Sequence, residues 1–334
     1  MSKAIVTTCR IESVRPHANA DRLEIAVVSG WQCVVPKGMY SAGSAVTYFP
    51  PDCVVPVELS DRLGVTKYLS NGRVRSARLR GEVSHGFVSE PMGPEGENVA
   101  DRLGVTKWVA PISLAVGEAE DQHPLFYRYT DIENMRHYPT VLVDGESVVV
   151  TEKIHGTNSR IGLVREPDGQ YRRVCGSNTV QRKIVEGGTY SFPWGVPGVA
   201  EMLAFMSASG AGSVILYGEV FGKVQVLRYG LPNGLGYRVF DASVDGRYLD
   251  YFAMAESCRR FGVSLVPLVY SGPFSIATVA DLSRGMSLVD GADNIREGVV
   301  VRPAVERTDP SIGRVVLKYV SDDYLCGNDE DRGE

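Results

Sequence analysis

Lys153 is the residue of this chain best suited to act as a nucleophile. It lies in Glu152-Lys153-Ile154-His155-Gly156-Thr157-Asn158, a tight glycine-containing turn after the β-like run SVVVT at 147–151. An ordinary lysine, with a pKa of about 10.4, is almost wholly protonated at pH 7 and cannot attack an electrophile. Burial and nearby positive charge both lower that value. A Lys-x-x-Gly pair alone carries little weight, because eight lysines and 36 glycines in 334 residues give roughly one by chance. Alone it reads as a surface lysine in a hairpin turn. Four segments further along the chain change that reading. YGEVFG (217–222), YRVFD (237–241), EGVVVR (297–302) and VVLKY (315–319) are β-like runs, each bearing a carboxylate, an aromatic or a lysine. A random globular chain has no reason to place those groups in this order after one such turn.

These five segments resemble motifs I, III, IIIa, IV and V of the covalent nucleotidyltransferases, the ATP-dependent ligases and mRNA capping enzymes. EKIHGTN (152–158) is similar to motif I of the RNA ligase 2 branch. LFYRYTDIEN (125–134) resembles the F-x-K-Y-x-x-I-E-N segment that opens that branch's catalytic domain. The resemblance covers roughly residues 123–325. It implies an ATP-dependent RNA ligase that adenylates Lys153, passes AMP to a 5′-phosphate, and joins that end to a 3′-OH, as in nick sealing. The cofactors implied are ATP, held as covalent AMP, and Mg²⁺ or Mn²⁺. The partner implied is RNA or an RNA-containing nicked duplex. A DNA ligase or GTP-using capping-type enzyme is the alternative, and a catalytically inactive RNA-binding adaptor a second.

The resemblance also assigns roles. Glu219 and Glu297 are the metal ligands, with Glu219 also on the nucleotide ribose. Mg²⁺ needs few protein carboxylates and keeps several waters. Lys318 neutralises the α-phosphate as charge develops on it. Motif V of the family has a Lys-x-Lys pair, but Val316 occupies the first position here, so Arg302 or Arg314 is a candidate to share the work. Phe240 is the residue to stack on adenine, and Glu152 the one to read its amino group. Asn158 is a further nucleotide contact. His155 helps the transfer of AMP to the RNA end. CGSNTVQRK (175–183) occupies the place of motif Ia, where Ser177 and Asn178 stand in for the usual arginine. Arg182 and Lys183 come next as candidate RNA contacts.

The net charge of −5 looks wrong for an enzyme that must contact phosphates. Its distribution removes the difficulty. Residues 321–334 hold six acids and Arg332, a net of −5, so residues 1–320 net to zero. One basic patch stands out: Arg73, Arg75, Arg78 and Arg80, either a solvated strand edge or a phosphate-contacting one. No apolar run approaches the ~18–20 residues that span a bilayer, and MSKAIVTTCRIE is not a secretory signal. Six scattered cysteines without a C-x-x-C pair read as reduced thiols of a cytoplasmic protein, without structural zinc. A membrane partner is not expected, and the protein reads as a monomer.

The fold implied is α+β: an N-terminal OB-type β-barrel (1–105), a linker (106–124), and an ATP-grasp-like nucleotidyltransferase domain of antiparallel sheets with helices (125–334). CRIESV, LEIAVV, QCVVP, AVTYF and CVVPV are short strands at barrel spacing. RPHANADRLEIAVV (15–28) and RLRGEVSHGF (78–87) resemble the two ends of OB modules appended to tRNA synthetases. Trp31, Tyr40, Tyr48 and Phe49 are aromatics available to such a face. An N-terminal OB region, with only sixteen residues after Lys318, resembles the RNA ligase 5 group. So does GKVQVLRYG (222–230). DRLGVTK occurs twice, at 61–67 and 101–107, without a longer repeat. Helices are expected over 196–209 and 248–262, and a strand over VSLVPLVY (263–270).

Overall fold

The three-dimensional structure, a computed structural model, describes residues 4–108 and 119–326. Most of the expected linker and the acids Asp329, Glu330, Asp331 and Glu334 lie outside the described residues. The chain forms two compact units, one of Met1–Ile112 with Met135–Pro139, the other of Ser113–Asn134 with Thr140–Glu334. Among the described residues no helix is long and apolar enough to cross a membrane.

The first unit is an OB-like near-barrel. Its five-stranded antiparallel sheet runs in the order Trp31–Pro36, Leu23–Val28, Thr7–Pro16, Ala45–Phe49, Phe87–Ser89. The long strand Thr7–Pro16 pairs with Ala45–Phe49 through its first half and with Leu23–Val28 through its second, with an irregularity between Ile11 and Ser13. Such a bulge bends a strand and lets one ribbon close a barrel. Side chains alternate along Trp31–Pro36, sending Trp31, Cys33 and Val35 inward. Of the aromatics available to an RNA face, Trp31 (2% exposed), Tyr48 (4%) and Phe49 (0%) are core. Apolar burial, rather than base stacking, accounts for them. CVVPV yields only the two-residue strand Cys53–Val54, because Pro56 starts the helix Val57–Arg62 instead.

The DRLGVTK repeat has a structural cause. In the first copy the Gly64 N–H donates to Asp61 O and the Val65 N–H to Ser60 O. In the second, Gly104 donates to Asp101 O and Val105 to Ala100 O. Both glycines have left-handed φ, +67° and +66°. Each copy is thus the same glycine-terminated turn. Leu59, Val99, Val105 and the flanking Leu63 and Leu103 share one core cluster.

The second unit carries two large sheets and a two-stranded ribbon of Thr308–Asp309 with Gly313–Arg314. The five-stranded sheet runs Glu133–Asn134, Leu317–Val320, Gly298–Pro303, Ser147–Lys153, Leu268–Pro273. The six-stranded sheet runs Gln181–Arg182, Tyr171–Gly176, Thr157–Arg165, Ser213–Gly222, Leu235–Val244, Arg247–Tyr248. Helices Val199–Ser207 and Tyr251–Phe261 fall inside the expected spans and bury Met202, Leu203, Met254 and Cys258 with Val214, Leu216 and Val239. Gly262 ends the second helix with φ 68°. The strand expected over 263–270 instead spans Leu268–Pro273. Before it, the Val239 N–H donates to Ser264 O, Val239 O accepts from the Val266 N–H, and Pro267 O accepts from the Glu152 N–H. The class is α+β, as the sequence implies.

Candidate active site

The turn at 154–156 joins the two sheets. Ser147–Lys153 ends in the first and Thr157–Arg165 begins in the second. Strand register then sets the site. Lys153 lies opposite Gly298, beside Glu297. Asn158 lies opposite Glu219. Gly156 is required by close approach: a Cβ there would lie 2.3 Å from Val220 O and 2.8 Å from Glu219 Cγ. Its N–H is thereby free to donate to the Glu219 carboxylate.

Three charges meet at this corner. Lys153 Nζ lies 2.7 Å from Glu297 Oε1. Burial pushes Lys153 down, as the sequence suggests, but Glu297 and Glu219 outweigh it and hold the amine above its ordinary range. In the ligand-free protein Lys153 is therefore a charged ion-pair partner, not yet a nucleophile. Burial also pushes Glu297 up, but the Lys153 ammonium and His155 bring it well below the carboxylate range. Glu219 is raised to about 8 by burial, which Lys153 only partly offsets.

His155 is held at its main chain and its ring. Its N–H donates to Tyr229 Oη at 2.6 Å. Its Nδ1 lies 3.3 Å from Glu297 Oε2 and 3.2 Å from Tyr324 Oη. Tyr229 lies in the GKVQVLRYG segment and Tyr324 after the last motif, and neither has a site role signalled in the sequence.

A pocket of about 100 Å³ is lined by Lys153, Glu219, Asn158, Phe240, Val300 and Arg302, among others. Asn158 Oδ1 is buried and accepts no hydrogen bond. Phe240 packs edge-on against Tyr129, with ring centroids 4.9 Å apart.

Two expected roles change. The Glu152 carboxylate, 1% exposed, accepts from Ser287 Oγ at 2.6 Å and from the Leu288 N–H at 2.7 Å. Both oxygens fasten the 287–288 segment, so the carboxylate is spent within the protein rather than held toward a base. Arg314 cannot stand in for the lysine absent at Val316. It is clasped by Glu306 and lies 2.7 Å from Asp241, and it does not line the pocket. Arg302 and Val316 do line it. Arg302 too is bound to Asp241, at 2.9 Å. Lys318 is the cross-strand partner of pocket-lining Val300 and shares its face of the sheet.

The carboxylates fit a divalent ion that arrives with a phosphate ligand. Glu297 Oε2 is buried without a hydrogen bond, and Glu219 is a carboxylate held up for want of positive charge. Among the described residues no group of three His, Cys, Asp or Glu could hold a metal by itself.

Residues 146–320 match the RNA ligase family model, more than half of the chain. The chain belongs to the RNA ligase family. The N-terminal part of the ligase, residues 5–91, matches an OB-fold domain. Among solved structures it is similar to a glutamate-to-alanine variant of Naegleria gruberi RNA ligase with AMP and Mn. The identity is 22%, covering 98% of this chain and 99% of that one, with a TM-score of 0.80. A lysine-to-alanine variant with ATP and Mn gives 22%, 98%, 99% and 0.78. The same protein with PPi gives 23%, 97%, 98% and 0.78. At that identity the likeness establishes a shared fold. No curated protein matches the ligase.

The candidate RNA contacts of the ligase are scattered in type. Ser76–Leu79 and Glu82–His85 form a hairpin whose turn residues, Arg80 and Gly81, have φ of 49° and 94°. Arg78 and Arg80 are on this hairpin, and Arg75 precedes it. His17 and Asn19 of the H-x-N segment fasten it, through Leu79 O at 3.0 Å and Arg80 O at 3.1 Å. Arg73 is tied to Asp52 at 2.7 Å and stacked over Trp108. Arg182 lies 5.4 Å from the Tyr190 ring centroid, and Lys183 is exposed beside it.

Proposed function

We propose that the protein is an ATP-dependent RNA ligase that works through a Lys153–AMP intermediate. The observation that carries this reading is the corner where Lys153, Glu219 and Glu297 meet, beside a pocket that Lys153 and Glu219 line together with Asn158, Phe240 and Arg302. The Naegleria gruberi ligase structures, with AMP, ATP, PPi and Mn, support it.

Adenine enters between Phe240 and Val300, and the ribose meets Asn158, whose unpartnered Oδ1 accepts a hydroxyl hydrogen. Glu219 and Glu297 would hold a divalent ion, which would supply positive charge to offset the triphosphate and weaken the hold of the carboxylates on Lys153. The Lys153 amine, having lost its proton to solvent, forms the P–N bond as the α–β P–O bond breaks and pyrophosphate leaves. Lys318 stabilises the charge on the α-phosphate. His155 then assists transfer of AMP to the RNA 5′-phosphate, and the 3′-OH displaces AMP to seal a nick. Arg75, Arg78, Arg80, Arg182 and Lys183 are the proposed RNA contacts. Six free thiols, four of them buried, suit a reducing cytoplasm. We take the active form to be a monomer.

Incubation with α-labelled ATP and Mg²⁺ tests the reading. The label is expected to stay on the denatured protein and to be acid-labile. Absence of label under those conditions favours an inactive RNA-binding adaptor.

A further inference from the structure

Among the described residues the hairpin of Ser76–Leu79 and Glu82–His85 pairs with no other strand, and a lone two-stranded ribbon is marginal in water. Side chains fasten it to the barrel instead. Gln32 Nε2 donates to Val83 O at 2.8 Å, and Ser84 Oγ accepts from the Val34 N–H at 3.0 Å. The tip has a clasp of its own. His17, 6% exposed, accepts from the Asn19 N–H at Nδ1, so Nε2 carries the proton and donates to Leu79 O. Asn19 Nδ2 donates to Arg80 O.

The residue held by that clasp is an unusual choice. Arg80 and Gly81 both have positive φ, 49° and 94°. Two such positions in a hairpin turn are ordinarily asparagine or glycine, because the left-handed region crowds a longer side chain. Backbone strain of this kind points to a task for the side chain that bears it. Arg78, Leu79 and Arg80 are all exposed. Arg78 donates to Gly81 O, and among the described residues neither guanidinium has a carboxylate partner. The nearest acid in sequence, Glu82, is bound by Arg15 at 3.2 Å.

We propose that the Arg78–Gly81 tip is a docking point for the sugar–phosphate backbone of the RNA, and that His17 and Asn19 are positioning residues that hold the tip in shape for it. The inference rests on the reading of the protein as an RNA ligase. Phosphate oxygens only accept hydrogen bonds and guanidinium groups only donate them, so the two match in charge and in direction. An arginine on a phosphate reads no base, and the contact serves any sequence. A clasp made through main-chain carbonyls leaves both guanidinium groups uncommitted while fixing the turn that carries them. Less freedom is then lost when RNA binds.

Binding of a 5′-phosphorylated nicked RNA duplex to the full-length protein, without ATP or metal and over a series of KCl concentrations, tests this. Each arginine–phosphate contact adds about one to the slope of log affinity against log salt. Arg78→Ala with Arg80→Ala is expected to weaken binding about tenfold near ~0.1 M salt and to lower the slope by about two. His17→Ala with Asn19→Ala removes no cation, yet is expected to weaken binding about fivefold and to lower the slope by about one. His17→Gln, whose amide can still donate to Leu79 O, is expected to keep the wild-type slope. Unchanged binding by the arginine variant, or weaker binding at an unchanged slope, overturns the docking point. A normal slope in the His17 and Asn19 alanine variant, with the arginine variant impaired, overturns the positioning role. Loss in His17→Gln equal to that of the alanine variant marks a merely structural histidine and overturns it too. Wild-type protein that binds no nicked RNA at any salt concentration removes the RNA ligase reading, and the proposal with it.

Discussion

Two clusters of charge buried in the catalytic unit differ in how well they are satisfied. Around Asp241 every demand is met. Its Oδ2 accepts from Tyr129 at 2.9 Å and Arg302 at 2.9 Å, and lies 2.7 Å from Arg314, while Oδ1 accepts from the Ala242 N–H. Glu306 takes the remaining face of Arg314. Around Lys153 demands are left open. Glu297 Oε2 and Asn158 Oδ1 have no hydrogen bond, and Glu219 is raised to about 8. A buried network with all its members paired holds a fold together. A buried group left short of a partner stores a preference for something not yet bound. The contrast separates scaffold from site on physical grounds, independent of motifs.

The largest effect should come from the open cluster. Lys153→Ala is expected to abolish the covalent AMP adduct while pre-adenylated RNA still binds. A lysyl adduct surviving in that variant would put the nucleophile elsewhere. Lys318→Ala should slow autoadenylation more than about 100-fold, because the charge it meets develops in the transition state. A loss under about threefold in a rapid-quench assay would hand that role to Arg302, which lines the same pocket.

The closed cluster should answer in stability. Asp241→Ala leaves Arg302 and Arg314 buried without their shared carboxylate, and should cost about 3–5 kcal/mol in a urea titration. A cost below about 1 kcal/mol would mean that the network is solvated and that the two clusters do not differ in this way. The smallest effect concerns Glu219. Its folded-state pKa lies above its unfolded value, so the folded chain binds the extra proton. Stability is then lost as pH rises from the ordinary carboxylate range through about 8. Glu219→Gln removes that loss. Without nucleotide or metal it should melt ~2–4 °C above the wild type at high pH and match it at low pH. An unchanged difference across that range would show that Glu219 does not titrate there.

Much of the site is legible in the sequence because backbone geometry fixes it. A lysine at the end of one strand, a glycine in the turn and carboxylates in neighbouring strands come from local pattern and pairing. The side-chain commitments are not legible. Glu152 bonds Ser287, 135 positions away, and Tyr324 reaches His155 over 169. Nothing in local composition signals either. Arg302 and Arg314 looked equivalent as spare cations; both are bound to Asp241, and only the pocket lining, which includes Arg302 and not Arg314, tells them apart. The shifted strand at Leu268–Pro273 shows the same limit, since a β-prone run is captured wherever partners exist.

Met135–Pro139 belongs to the first compact unit although both its flanks belong to the second. Met135 is 1% exposed, and the Arg136 guanidinium stacks 4.3 Å from the Trp31 ring centroid. The polypeptide is therefore stitched rather than strung, and no single scission yields two intact halves. A fragment begun near residue 120 carries away a buried methionine and the lid of a tryptophan, leaving a hole in the part discarded and a greasy loop on the part retained. Dissection of this protein calls for a graft that leaves 135–139 with the N-terminal piece, or for point substitutions in the whole chain.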